Sequence, residues 1–172
     1  MAMAIRSRVV RSGVVLIILA GYLLYSNPIR FHQTAHAGGL TMQVPSTWTP
    51  MKSAAINIPV ALHREWSPFL PLGNVSVVDY SAFSTRSSGS WTMETARKRQ
   101  TGIVAARSKV TAFSNTSTFD LKAGDRTAVC NESTLSGSRI LDCTIVGTTL
   151  QFIFSGSRFA EPSAERMLAS LN

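Results

Sequence analysis

The chain reads as an α+β protein: an antiparallel β-sheet with two helices, preceded by one N-terminal apolar helix. Three observations carry that reading. Short runs alternate apolar and polar residues, first around Leu40, Met42 and Val44 and most plainly through Asn74–Tyr80, and from Val110 onward the pattern is mostly β. One longer segment, 91–107, instead repeats at helical spacing. An uncharged apolar run from Gly13 to Tyr25 stands behind Arg6, Arg8 and Arg11.

The N-terminal run is apolar on all sides, so it has no polar face to turn to water as an ordinary surface helix does. Basic residues ahead of it hold that end in the cytoplasm and send the following chain across the membrane. Residues 1–25 are therefore expected to be a signal-anchor or a signal peptide. As an anchor the run is short for a bilayer core of about 30 Å, but Tyr22 and Tyr25 suit the interface and Arg11 can snorkel. The alternative is cleavage following Ala37, where Ala35-His36-Ala37 precedes Gly38 in a small-x-small pattern. The expected location is the inner membrane, single-pass, with a periplasmic domain; with cleavage it is the periplasm. No cysteine follows the run directly, which excludes a lipid-anchored form. Residues 26–39, with Pro28, glycines and no periodicity, read as a flexible tether. His32 and His36 stand four apart there, but Pro28 argues against the helix that would make them a metal pair.

Residues 40–172 then form the domain. The formal charge of +8 is concentrated at the start, because Arg6, Arg8, Arg11 and Arg30 precede the first acid, Glu65. The remaining modest basic excess is a weak argument for nucleic acid, and none is expected as a partner.

Leu40, Met42 and Val44 alternate with polar residues up to Pro45 and give a first strand. Trp48 reads as a core anchor in a turn. Residues 56–66, broken by Pro59, hold one or two short strands. Asn74–Tyr80 is a clearer strand, with Val75, Val77 and Asp79 on one face. The Ser-rich stretch 81–90 reads as a loop. Ser90 is the expected N-cap of a helix over 91–107, with Glu94 in its first turn. Met93, Ala96, Gln100, Ile103, Val104 and Arg107 keep helical spacing within it. Arg97, Lys98, Arg99, Arg107 and nearby Lys109 make this segment basic and form the candidate interaction face. Strands are expected at 110–113, 119–121, 126–134, 139–146 and 149–154, and a short helix over 162–171.

The two cysteines lie on consecutive predicted strands. If Ser136-Gly137 is a two-residue hairpin loop, Cys130 faces Cys143 at a non-hydrogen-bonded position, where Cα atoms are about 4.5 Å apart. A disulfide fits that separation and an oxidising compartment. Two free thiols or a redox pair are the other readings. The spacing is not C-x-x-C, and two cysteines cannot complete a zinc site. A second turn at Gly147-Thr148 would set Cys143 against Phe152.

Phosphate-binding Gly-rich loops, G-x-S-x-G and H-E-x-x-H are absent from the sequence. No metal and no cofactor are expected. His63 is the one histidine inside the domain, and Glu65 and Trp66 stand beside it as the rival candidate site. Asn74, Asn115 and Asn131 match the glycosylation pattern.

The segment Gly39-Leu-Thr-Met-Gln-Val-Pro-Ser-Thr-Trp48 resembles the opening of PsbP-like domains, a short strand ending in Pro and then Trp. Ile145-Val-Gly-Thr-Thr-Leu-Gln-Phe-Ile-Phe-Ser-Gly156, with a helix ending Leu168-Ala-Ser-Leu171, is similar to their last hairpin and C-terminal helix. The family includes photosystem II extrinsic proteins and bacterial DcrB-like envelope proteins. The resemblance implies an α/β/α sandwich and a binding or assembly role, and it brings no catalytic residues with it. The expected function is a non-enzymatic, membrane-tethered periplasmic module that binds an envelope protein in a secretion or transport complex. The alternative is a small periplasmic hydrolase or ligand-binding protein with a site near His63. A third reading has the basic segment bind membrane or nucleic acid, with steep salt dependence.

Overall fold

The computed structural model describes residues 14–17, 32–37, 39–45, 48–51, 60–66, 71–82 and 89–172. The chain divides into two compact units, Met1–Phe31 and His32–Asn172. In the first unit residues 14–17 are helical and exposed. The rest of the N-terminal apolar run, and residues 26–31, lie outside the described residues. Among the described residues, no helix is long and apolar enough to cross a membrane.

The second unit is mostly antiparallel β-sheet with a few helices, an α+β protein. Two strands, β1 (His32–Ala37) and β2 (Leu40–Pro45), pair with each other as a separate ribbon. The main sheet has seven strands: β3 (Trp48–Met51), β4 (Val60–Trp66), β5 (Pro71–Asp79), β6 (Phe113–Ala123), β7 (Arg126–Leu135), β8 (Ser138–Ile145) and β9 (Leu150–Gly156). Their order across the sheet is β3-β4-β5-β9-β8-β7-β6. The helices are α1 (Met93–Arg107) and α2 (Glu161–Ala169).

β1 corrects the expected tether. Its backbone pairs along its whole length with β2, from His32 opposite Pro45 to Ala37 opposite Leu40. The folded unit therefore begins at His32, eight residues before the expected domain start. His32 and His36 lie on a strand, where four residues span about 13 Å, so the two cannot share a metal.

Local chemistry accounts for the other boundaries. Ser90 is not the cap of α1; Thr92 is. Thr92 is extended (φ −79°, ψ 165°), and Thr92 and Thr95 exchange side-chain-to-backbone hydrogen bonds in a capping box. Trp91 stays outside the helix because its backbone is used elsewhere. Its N–H donates to Thr148 O at 2.7 Å, and its carbonyl accepts from Gly147 N at 2.8 Å. Residues 110–112 are turn rather than strand, and β6 starts at Phe113. At α2, Pro162 falls in the first turn, where a missing N–H costs nothing.

The β7–β8 hairpin has the predicted register. Ser136 and Gly137 both carry positive φ, as a two-residue type I′ loop requires, and Leu135 pairs with Ser138. Cys130 therefore faces Cys143, and the two form a disulfide with Cα atoms 4.0 Å apart. The next turn differs from expectation. Cys143 does pair with Phe152, but the turn closes on Ile145 and Thr148, and the Val146 N–H bonds to Thr127 O instead of across the turn.

The core gathers one side of these strands. Met42, Val44, Trp48, Val75, Val77, Cys130, Leu141, Cys143, Ile145, Phe152 and Phe154 join Ala164, Met167, Leu168 and Leu171 from the C-terminal segment. Trp48 is the largest fully buried side chain and begins β3 instead of sitting in a turn. Gly124 lets the C-terminus lie close: its φ is +63°, and a Cβ there would stand 1.7 Å from Leu171 O. Asn172 exchanges two backbone hydrogen bonds with Thr41 on β2.

Candidate functional site

Beside Val129 and Ile140, the positions that alternate with the core hold a set of buried polar residues, and α1 lies against them. Ala96, Gln100 and Arg107 sit at spacings of four and seven, which places them on one side of a helix with 3.6 residues per turn. Across from them β7 supplies Asn131 and Ser133, β8 supplies Asp142 and Thr144, and β9 supplies Gln151, all buried. The Gln100 amide donates to Thr144 Oγ1 at 2.9 Å and to Asp142 Oδ1 at 3.3 Å. Arg107 donates to Asp142 Oδ2 at 2.9 Å, to Asn131 Oδ1 at 2.5 Å and to Ser133 Oγ at 3.1 Å. The Asn131 amide donates to Gln100 Oε1, and the Gln151 amide to Asp142 Oδ1. The one buried carboxylate of this layer thus takes three donors, one of them a guanidinium. Both of its oxygens are thereby occupied within the layer.

The predicted basic face is not a single face. Successive helix positions are rotated by about 100°, so Arg97, Lys98 and Arg99 point three ways. Arg97 pairs with Asp120 on β6 at 2.8 Å, in an exposed ion pair. Arg107 is turned into the polar layer, with only 16% of its side chain exposed. Lys98 and Lys109 are exposed.

Arg99 does something composition could not show. It donates to Gln151 Oε1 at 2.7 Å, and its guanidinium stacks over the Tyr80 ring at 4.3 Å and the Trp91 ring at 5.1 Å. The two rings meet edge to face, 6.1 Å apart. Trp91 Nε1 and Arg99 Nε are buried and have no hydrogen-bond partner among the described residues. Around them Thr95, Lys98, Gly102 and Ile103 line a shallow open hollow along α1. A signal for this cluster existed in the sequence: an aromatic directly before the helix and an arginine two turns into it. Tyr80 was not foreseeable, because its place depends on the Tyr80 N–H bond to Thr149 O.

Two carboxyl groups are perturbed. Burial raises Asp79, but hydrogen bonds from Thr149 Oγ1 (2.6 Å) and Ser81 N (2.9 Å) outweigh it and hold the group below its ordinary value. Glu165 on α2 is raised, first by desolvation and then by Glu161 and Glu132, with Arg139 pulling the other way. Arg139 itself pairs with both Glu132 and Glu161.

The rival site falls on β4, where His63 pairs with Val75 and Pro50, and Glu65 with Gly73 and Trp48. The side chains of His63, Glu65 and Trp66 lie outside what is described. Among the described residues, no three His, Cys, Asp or Glu side chains come together as a metal ion would need. Asn131 is closed to glycosylation by its burial, whereas Asn74 is exposed. No protein-family model matches the chain, and no curated protein matches it by sequence.

Proposed function

We propose that the chain is a non-enzymatic binding and assembly module of a bacterial envelope complex, held at the inner membrane by its N-terminal apolar run, with the β-rich unit in the periplasm. The observation that carries this reading is the hollow on α1. Trp91 and Arg99 line it beside exposed Lys98, while the polar groups beneath the helix are spent on one another. Tryptophan, tyrosine and arginine are the residue types that anchor protein interfaces. The cations at the hollow, Lys98 and Arg99, favour an acidic patch on the partner.

Two further features support the reading. The Cys130–Cys143 disulfide suits an oxidising compartment. An α/β/α sandwich, as the PsbP-like resemblance implies, is supported by the partners of the two helices: α1 bonds to Asn131, Asp142, Thr144 and Gln151, while α2 joins the core formed by the alternating positions Cys130, Cys143 and Phe152. Strand alternation puts those two sets on opposite faces.

The test is a photo-crosslinking residue at position 98 of the full chain in its native membrane. A discrete protein adduct is expected, weakened by Arg99→Ala. An adduct pattern identical to that of a residue placed at Ser138, on the exposed β7–β8 turn, would remove the proposal.

A further inference from the structure

The sheet ends on a long strand that, among the described residues, has a neighbour on one side only. β6 pairs with β7 on one side only and is the terminal strand of the seven. Gly124-Asp125 is a two-residue loop closed by Ala123 and Arg126, so the odd residues 119, 121 and 123 turn their backbone groups toward β7. Thr118, Asp120 and Lys122 turn theirs outward. Among the described residues, nothing bonds to those outward N–H and C=O groups.

Free edges of this kind recruit another strand unless they are blunted. Here the two charges on the edge, Asp120 and Lys122, are of opposite sign and two residues apart. We propose that β6 pairs antiparallel with β6 of a second copy of the chain, about a two-fold axis at Leu121.

The charges select both the partner and the register. With Leu121 opposite Leu121, Asp120 of each copy faces Lys122 of the other, and the symmetry makes both pairs at once. These are the hydrogen-bonded positions, so each pair also exchanges two main-chain bonds. Sliding one strand by two residues sets Asp120 against Asp120, or Lys122 against Lys122, and like charges directly opposite are destabilising. Sliding by one residue inverts the faces. The same charges that discourage other strands therefore leave one self-complementary arrangement.

The flanks agree. On the face away from Arg97, Leu121 and Phe119 are only partly buried against the core. Beside Leu121 runs a groove lined by Pro162, Glu165 and Ala169, which the second copy's strand would cover. The Arg97–Asp120 pair at 2.8 Å stays on the other face, where it becomes a cluster of three charges with the second copy's Lys122. The proposal does not rest on the hollow on α1, since the β6 edge shares none of its lining residues and needs no envelope partner.

The test is sedimentation equilibrium of the full chain in detergent. A reversible dimer is expected. Asp120→Lys and Lys122→Asp should each raise its dissociation constant about tenfold or more, since each creates like-charge pairs at two symmetric positions. The double exchange D120K/K122D should restore it, with far-UV and near-UV circular dichroism unchanged throughout. As a second measurement, Leu121→Cys should give a covalent dimer on mild oxidation, and Thr118→Cys should not. A monomer at all concentrations, a dimer indifferent to both single exchanges, or a double exchange that fails to restore pairing would each overturn the proposal.

Discussion

Asp142 is the residue on which α1 depends. Its carboxylate accepts from Arg107, Gln100 and Gln151, and its side chain is 4% exposed. Asp142→Ala leaves Arg107 in the same layer without a counter-charge, and losing one partner of a buried pair costs about 3 kcal/mol or more. We expect Asp142→Ala to lower the urea midpoint by that amount, with α1 the first element to lose amide protection in hydrogen exchange. Replacing both partners, as D142L with R107M, should recover most of the loss, because the penalty comes from the orphaned charge more than from the missing bond. Glu165 gives a prediction of opposite sense. Desolvation, then Glu161 and Glu132, raise its folded value above the ordinary 4.5. A raised carboxyl favours the protonated fold, so its contribution is present below pH 4.5 and is lost as pH rises through the folded value. Glu165→Gln should therefore melt slightly higher than wild type at pH 7, and the gap should close as pH falls to 4.5 and below. Thermal melts of the two proteins across that range check the sign. The gain is small because Glu165 is exposed on α2.

Elements were legible in the sequence where a local rule is strong. The alternation at Leu40, Met42 and Val44 became β2, with Met42 and Val44 in the core. The β7–β8 register followed from a Ser-Gly loop and a period of two, and it placed Cys130 against Cys143. Helical spacing picked out Ala96, Gln100 and Arg107, which are the residues α1 turns to the sheet. What the spacing could not say is that the sheet meets them with Asn131, Asp142 and Thr144. Charge counting therefore took Arg107 for a solvent-facing base when it is paired beneath the helix. β1 was missed for a related reason. Its residues His32–Ala37 carry no apolar alternation, and their strand state comes from the pairing with β2. The disulfide makes the hairpin itself testable. Its closed loop, with a sequence separation of 13, is worth about 3 kcal/mol in loop entropy. The double variant C130A/C143A should lose about that much by equilibrium unfolding, while reductant acts slowly on the native protein because both cysteines are fully buried.

At the scale of the whole chain, β1 gives the two proposed fates of the N-terminus different consequences for the fold. Cleavage following Ala37 would remove all six residues of β1. It would take Ala35 out of the core cluster and strip β2 of its one ladder partner among the described residues. Met42 and Val44 would then lie on a strand held, among the described residues, only by the bonds of Thr41 to Asn172 and of Gln43 to Ser170, and each lost main-chain bond costs roughly 0.5–1.5 kcal/mol net. A processing site is better placed where the chain contributes nothing to the fold, and Ala35-His36-Ala37 is not such a place. The retained form keeps β1, and with it the apolar run proposed as the anchor. Intact mass measurement of the protein from its native membrane should therefore give a species that includes His32 and the residues before it. A chain begun at Gly38 should fold with a lower melting temperature and exchange β2 amides rapidly. A mature N-terminus found at Gly38, on a protein as stable as the full chain, would sink the anchor and leave β1 as a passenger on the fold.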